Sequence, residues 1–188
     1  MGAPRFERLI VLLSRWRIEL AWLGVLAVPF VRPSAASIVE WLPLLAVGVA
    51  IRVWARGHLQ RATEVTQSGP YALVRHPLYV GSFFIALAFA LIARLPWFVP
   101  FVVLVFVVMY VPKALREEAW LRSRFGDTYD EYASRVGAVF PRRLPSLARL
   151  RSDFRWTRVL GHREWKTWVG VAGMLAFMWV RAITLAHQ

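Results

Sequence analysis

The sequence predicts an all-α fold: a polytopic membrane helix bundle of about five transmembrane helices with a cytoplasmic helical C-terminal cap. Three observations carry this. The 188 residues are 58% hydrophobic, where a soluble domain is about half apolar. The apolar residues gather in blocks such as residues 98–111, broken only by Pro100 and Tyr110. The formal net charge is +13, and the basic residues lie between the blocks. In a soluble chain such charge would point to nucleic acid. Interleaved with apolar blocks it follows the positive-inside rule instead, and no nucleic-acid partner is expected.

The elements follow in order. The first span covers residues 17–31, with a possible start as early as Leu9, and the second covers 38–53. The third runs over 79–95 and the fourth over 97–111. Arg94 and Pro96 leave so short a connection that these two form an antiparallel hairpin. Residues 114–125 continue as a helix leaving the membrane, and Gly126 ends it. Asp127 resembles the N-cap of a short helix through about Val136. Residues 144–159 alternate arginine with Leu, Phe and Trp, the pattern of one amphipathic helix on an anionic leaflet. The fifth span is 168–186. The chain thus reads as a single domain, 1–188, with a motif-bearing catalytic region (56–141), a basic interfacial segment (142–166) and an extra C-terminal transmembrane helix (167–187).

Orientation follows from the arginines. Arg5, Arg8, Arg15 and Arg17 precede the first span; Arg52, Arg56, Arg61 and Arg75 lie between the second and third. The densest run lies between the fourth and fifth, whereas the alternate connections carry only Arg32 and Arg94. An integral, multi-pass protein with a cytoplasmic N-terminus, a cytoplasmic active site and an external C-terminus is expected. No removable signal peptide is expected at the N-terminus. The absence of cysteine excludes disulfides, thiolate zinc sites and a cysteine nucleophile.

Two stretches carry more than an anchor needs. The first runs from Gly69-Pro70-Tyr71 through Arg75-His76-Pro77-Leu78-Tyr79 to Gly81. Gly-Pro signals a turn, and a residue before proline avoids the α region. Pro77 suits the first helical position, which makes His76 the N-cap. The amides of Leu78 and Tyr79 would then point outward, as an anion site that suits a carboxylate. Gly81 leaves room for a ligand or a neighbouring helix. The second stretch holds Glu117-Glu118 and then Phe125-Gly126, Tyr129 and Tyr132. Adjacent acids on a helix diverge by about 100°, so one pocket takes only one of them. The plain alternative is an i,i+4 pair between Glu118 and Arg122. His58, His162 and His187 are isolated, and neither metal-ligand spacing nor a glycine-rich nucleotide loop occurs, so no catalytic metal is expected.

Taken in order, these two stretches resemble the isoprenylcysteine carboxyl methyltransferase family and its relatives, the phospholipid methyltransferases. The matching residues are Gly69, Tyr71, Arg75-His76-Pro77, Tyr79, Gly81, Glu117-Glu118, Leu121, Phe125-Gly126, Tyr129 and Tyr132, within a region from Arg56 to about Pro141. The resemblance implies a cytosolic pocket for S-adenosylmethionine and a substrate that enters sideways from the bilayer. Carried over by position, the cofactor contacts are Thr63, Glu64, Val65, Thr66, Tyr71, His76, Pro77, Leu78, Tyr79 and Glu118. Glu118, Glu117 and Arg75 form the candidate catalytic set. The prenylcysteine enzymes place an arginine four residues before the second glutamate; Ala114 stands there, so a prenylcysteine is not singled out.

The function this implies is methyl transfer from S-adenosylmethionine to a carboxylate or amine of a membrane-embedded, lipid-like or prenylated small molecule. Membrane lipids are the other expected partners. A carboxylate acceptor needs no base, whereas an amine must lose a proton, which Glu118 or Glu117 would take. Glu118 is expected to matter more, with Glu117 turned toward the headgroups or Lys113. Two competing readings are a non-catalytic membrane scaffold of the same fold and a membrane reductase-like protein.

Overall fold

The computed structural model describes residues 28–60, 64–151, 153–161 and 164–187. These residues form seven helices: α1 (Ala35–His58), α2 (Pro77–Ile92), α3 (Phe98–Phe125), α4 (Asp127–Arg135), α5 (Leu147–Arg151), α6 (Trp156–Gly161) and α7 (Trp165–Ala186). Among the described residues the only β-type pairing is an isolated bridge between Val74 and Gly137. The all-α helical bundle is therefore as expected.

α1, α3 and α7 are long and apolar enough to cross a membrane, and α2 is an apolar helix of 16 residues. The chain is an integral membrane protein. Large apolar side chains such as Val39, Leu42, Leu104, Val107, Phe177 and Val180 face outward, as a lipid-facing surface requires. Four expected spans correspond to α1, α2, α3 and α7. The first, 17–31, lies almost wholly outside the described residues, as do Arg5, Arg8, Arg15, Arg17, Arg61, Thr63 and His162.

α1 begins where Ser34 and Ser37 form a capping box: the Ser34 hydroxyl accepts from the Ser37 amide at 3.1 Å, and the Ser37 hydroxyl accepts from the Ser34 amide at 2.9 Å. This end of α1 meets the far end of α2, where the Arg32 amide donates to the Ala93 carbonyl at 3.0 Å. α1 and α2 are thus antiparallel. They cross closely because Gly48 and Gly81 face one another: a Cβ on Gly81 would stand 2.8 Å from the Gly48 carbonyl oxygen. Small residues allow such an approach, and packing contacts then drive association inside a membrane. Gly81 therefore makes room for a neighbouring helix.

The turn at Ala93–Trp97, with Arg94 at φ 54°, sends the chain back into α3, the hairpin that the short connection predicted. α7 returns along α1. Its Met178 and Ala182 pack with Val31, Ile38, Ile92 and Ala93 at one end of the bundle. The turn before α2, the polar half of α3, α4 and the entry to α7 all gather at the other end.

Two local expectations change and a third is met. α3 does run on unbroken to Phe125, but Asp127 is the first residue of α4, and Gly126 at φ 51° takes the cap position. A glycine tolerates this left-handed backbone without a Cβ penalty, so no capping side chain is required. Residues 144–159 form two short helices, α5 and α6, rather than one amphipathic helix; Asp153 at φ 63° lies between them and breaks the run. Finally, His76 is the residue before α2 and Pro77 its first, as expected. Its φ of −121° and ψ of 56° lie outside the α region without being fully extended.

The close helix crossing makes a testable demand. Gly81→Val should lower stability by about 1–3 kcal/mol, because an added Cβ would stand 2.7 Å from Arg52 Cγ and 2.8 Å from the Gly48 carbonyl oxygen. Gly170→Ala, where an added Cβ meets nothing within 4 Å, should leave the thermal midpoint in detergent unchanged or slightly raised.

Candidate active site

Between the turn leading into α2 and the polar half of α3, the polar end of the bundle encloses a cavity of about 840 Å³. That volume lies within the ~300–1,000 Å³ of small-ligand sites. Its back wall is a buried charge cluster. The Glu118 carboxylate accepts from Arg75 Nε at 3.1 Å and from His76 Nε2 at 2.9 Å. Arg75 also donates to the Ala133 carbonyl at 2.9 Å and the Val136 carbonyl at 3.3 Å. The Arg75 amide donates to Gly137 and the His76 amide to Ala138, at 2.8 and 3.0 Å. α3, α4 and the turn before α2 are thereby fastened together through two adjacent residues of one motif.

The i,i+4 alternative for Glu118 does not hold, because Arg122 instead pairs with Asp130 at 2.7 Å. The two adjacent acids do diverge. Glu117 does not turn away from the cavity: it lines it, and Oε2 accepts from the Tyr79 hydroxyl at 2.7 Å. The Tyr79 ring stacks on His76 with centroids 5.3 Å apart, and Tyr110 meets Tyr79 edge-on at 5.0 Å. Lys113 places its ammonium 5.3 Å from the Tyr79 ring centroid. The Tyr79 amide, expected to be free, donates to the His76 carbonyl at 3.0 Å. The first turn of α2 therefore offers an anion less than its position suggested.

Beside this cluster lies a group of tyrosines. The Tyr132 hydroxyl donates to the Tyr71 carbonyl at 2.8 Å, and Tyr129 packs beside it with Val65, Leu121 and Phe125. Burial pushes the Tyr129 phenol up to about 12, with the Glu118 charge adding to the rise. Burial likewise raises Tyr132 well above the usual range. Both hydroxyls are neutral donors at physiological pH. The Tyr129 hydroxyl is buried and has no hydrogen-bond partner among the described residues, although Tyr129 lines the cavity. A buried, unpaired hydroxyl costs free energy that a bound ligand would recover.

Of the residues expected at the site, Glu64, Val65, Thr66, Tyr71, Arg75, His76, Leu78, Tyr79 and Glu117 line this one cavity. Thr66 also accepts from the Gln60 amide at 3.0 Å, which fixes the loop. Pro77 is fully buried below it, and Glu118 stands behind Arg75 and His76. Thr63 lies outside the described residues. The sequence reading missed Arg52, Arg56, Ser82, Tyr110, Lys113 and Arg116 as lining residues. The arginines had been absorbed into the positive-inside pattern. Their spacing of four, on one face at the end of an apolar run, was the available signal.

The residues fit S-adenosylmethionine. The Tyr71 ring and the carboxylates of Glu64 and Glu117 line the cavity and suit a cation, and the unpaired Tyr129 hydroxyl suits a polar group. Among the described residues no cluster of three or more His, Asp or Glu side chains could hold a metal ion.

Residues 37–128 match the family model for phospholipid methyltransferase, so the resemblance read from the motifs is borne out. The chain is 32% identical over 111 residues, 58% of its length, to a nickel-cobalt-cadmium resistance protein of Alcaligenes xylosoxydans xylosoxydans, covering 52% of that protein. It is 32% identical over 120 residues, 62% of its length, to a cobalt-zinc-cadmium resistance protein of Cupriavidus metallidurans, covering 53% of it. The chain thus spans about half the length of these curated relatives. A 74-residue stretch, 39% of the chain, is 37% identical to mouse Delta(14)-sterol reductase, covering 18% of that enzyme. No solved structure matches the chain.

The orphaned hydroxyl gives a prediction that separates folding from binding. Tyr129→Phe should leave the ligand-free protein as stable as before or up to about 1 kcal/mol more stable. A ligand that uses the hydroxyl should then raise the melting temperature less in the variant than in the unaltered protein.

Proposed function

From a chain whose residues 37–128 match the phospholipid methyltransferase family, we propose that the cavity binds S-adenosylmethionine and that the protein methylates a carboxylate or amine of a lipid-like molecule drawn from the bilayer. The observation that supports this most is convergence. Two motif stretches about forty residues apart in sequence meet at one cavity, where His76 lines the wall and Glu118 bonds to it from behind at 2.9 Å. Following the positive-inside rule, the polar end that holds the cavity is cytoplasmic, with the N-terminus inside and the C-terminus outside.

S-adenosylmethionine supplies an electrophilic methyl group when bound. The chain's own residues have then to position, to exclude water and to handle a proton. Tyr71 and the carboxylates of Glu64 and Glu117 line the cavity where a cation would lie. Of the two adjacent acids Glu117 is the one that reaches the cavity, so it is the group we assign to accept a proton from an amine acceptor, with Tyr79 holding its carboxylate in place. Glu118 is engaged by Arg75 and His76 and acts as a positioning residue. This divides between the two acids a role that sequence position had assigned mainly to Glu118. A carboxylate acceptor needs no proton transfer, and Glu117 is then dispensable for turnover.

The match to a sterol reductase supports a second reading, membrane reduction with a nicotinamide cofactor. Calorimetry on the purified full chain separates the two. S-adenosylhomocysteine should bind with a Kd on the order of 1 μM, about −8 kcal/mol, and NADPH should not. Binding of NADPH alone would favour the reductase, and binding of neither would favour a scaffold.

Substitutions test the division of labour. Glu117→Gln should lower turnover of an amine acceptor by about 10²–10⁴-fold while moving S-adenosylhomocysteine affinity little. Glu118→Gln should lower that affinity and reduce stability by on the order of 2 kcal/mol, since it weakens charge-assisted bonds to Arg75 and His76. Equal tolerance of both changes would return the pair to solvated helix charges.

A further inference from the structure

α7 lies outside the residues matched by the family model, yet its entry reaches the cavity wall. Glu164, immediately before α7, is 1% exposed and binds two arginines of α1. Arg52 donates to it from Nε at 2.7 Å and from a terminal nitrogen at 3.1 Å; Arg56 donates to it from Nε at 2.9 Å. Both arginines line the cavity. Arg52 spends its remaining donors on Ser82, the Leu78 carbonyl and Thr167. Arg56 does not: beyond Nε, its guanidinium makes no hydrogen bond among the described residues.

Charge and geometry then point the same way. Two guanidiniums share one carboxylate as their ion-pair partner among the described residues, so the cluster carries one positive charge in excess, on arginine side chains that are 13% and 17% exposed. Charge removed from water is costly unless an anion meets it. Glu164 fixes the Nε edge of Arg56, so the paired terminal nitrogens are left to face a ligand, and such a pair matches two oxygens of a carboxylate or phosphate. We propose that Arg56, held by Glu164 and backed by Arg52, forms an anion subsite of the cavity for a ligand carboxylate or phosphate. The subsite deepens the methyltransferase reading and rests on it for the identity of the cavity. It also gives α7 a function, because Glu164 is a positioning residue supplied from the C-terminal helix. The engagement of the Tyr79 amide by His76 weakens the competing location at the first turn of α2.

The anion has two possible sources, the cofactor's amino-acid carboxylate or the headgroup of a lipid acceptor. The test uses the full chain in detergent, with Arg56→Gln and the charge-keeping Arg56→Lys, each checked by thermal melting. Calorimetry compares S-adenosylhomocysteine with methylthioadenosine, which lacks the amino-acid tail. Quenching of tryptophan fluorescence compares brominated phosphatidate with brominated phosphatidylcholine. A loss of S-adenosylhomocysteine affinity of about tenfold or more in Arg56→Gln, with methylthioadenosine unchanged and Arg56→Lys intermediate, supports the subsite and assigns it to the cofactor. Unchanged nucleoside binding with a lost preference for phosphatidate supports it and assigns it to the acceptor. Retention of both in Arg56→Gln overturns the subsite. Failure of the unaltered protein to bind S-adenosylhomocysteine counts instead against the methyltransferase reading, and the lipid comparison then still decides the subsite.

Discussion

The site depends on one carboxylate. Glu118 is largely withdrawn from water and holds Arg75 and His76 at once. An ion so placed is tolerated only because both partners meet it; removing one partner from a buried pair costs on the order of 3 kcal/mol. What that constraint secures is position. Arg75 reaches past Glu118 to the carbonyls at the end of α4, and His76 sets the entry of α2. Tyr79 then stacks on His76 and delivers its hydroxyl to Glu117. The acid that faces the cavity is thus oriented through its neighbour, which faces away.

A second clamp works at the polar end of α1. Glu164 draws the start of α7 onto Arg52 and Arg56, while Met178 and Ala182 seat the other end of α7 in the apolar cluster. Between these ends, α1 and α2 are held by the glycine crossing, where packing rather than burial from water is the driving force. Among the described residues the bundle therefore has apolar contact along its length and ion pairs only at its polar end. In a membrane that is the end where charges can be hydrated, and where the proposed function needs a water-soluble cofactor to meet a lipid acceptor.

Much of this was legible in the sequence because it rests on local chemistry. The apolar blocks marked α1, α3 and α7, and the His-Pro junction marked the start of α2. Gly81 announced a close approach. What was hidden depended on tertiary placement. Glu117 and Glu118 differ by a rotation about the helix axis, and only the position of α2 decides which of them meets the cavity. Arg52 and Arg56 look like any positive-inside charges until Glu164, over a hundred residues away, is brought against them. The single helix expected over 144–159 failed for a local reason: an arginine–apolar alternation does not reveal the left-handed residue at Asp153.

The central claim is that this chain moves a methyl group onto a bilayer-resident molecule. The direct measurement gives the purified full chain, in lipid extracted from its own membranes, S-adenosylmethionine labelled in the methyl group, and counts label in the organic extract. The account predicts protein-dependent label in that extract, lost in His76→Ala. Cofactor binding without any protein-dependent label, across amine-bearing and acid-bearing lipid fractions alike, would contradict it.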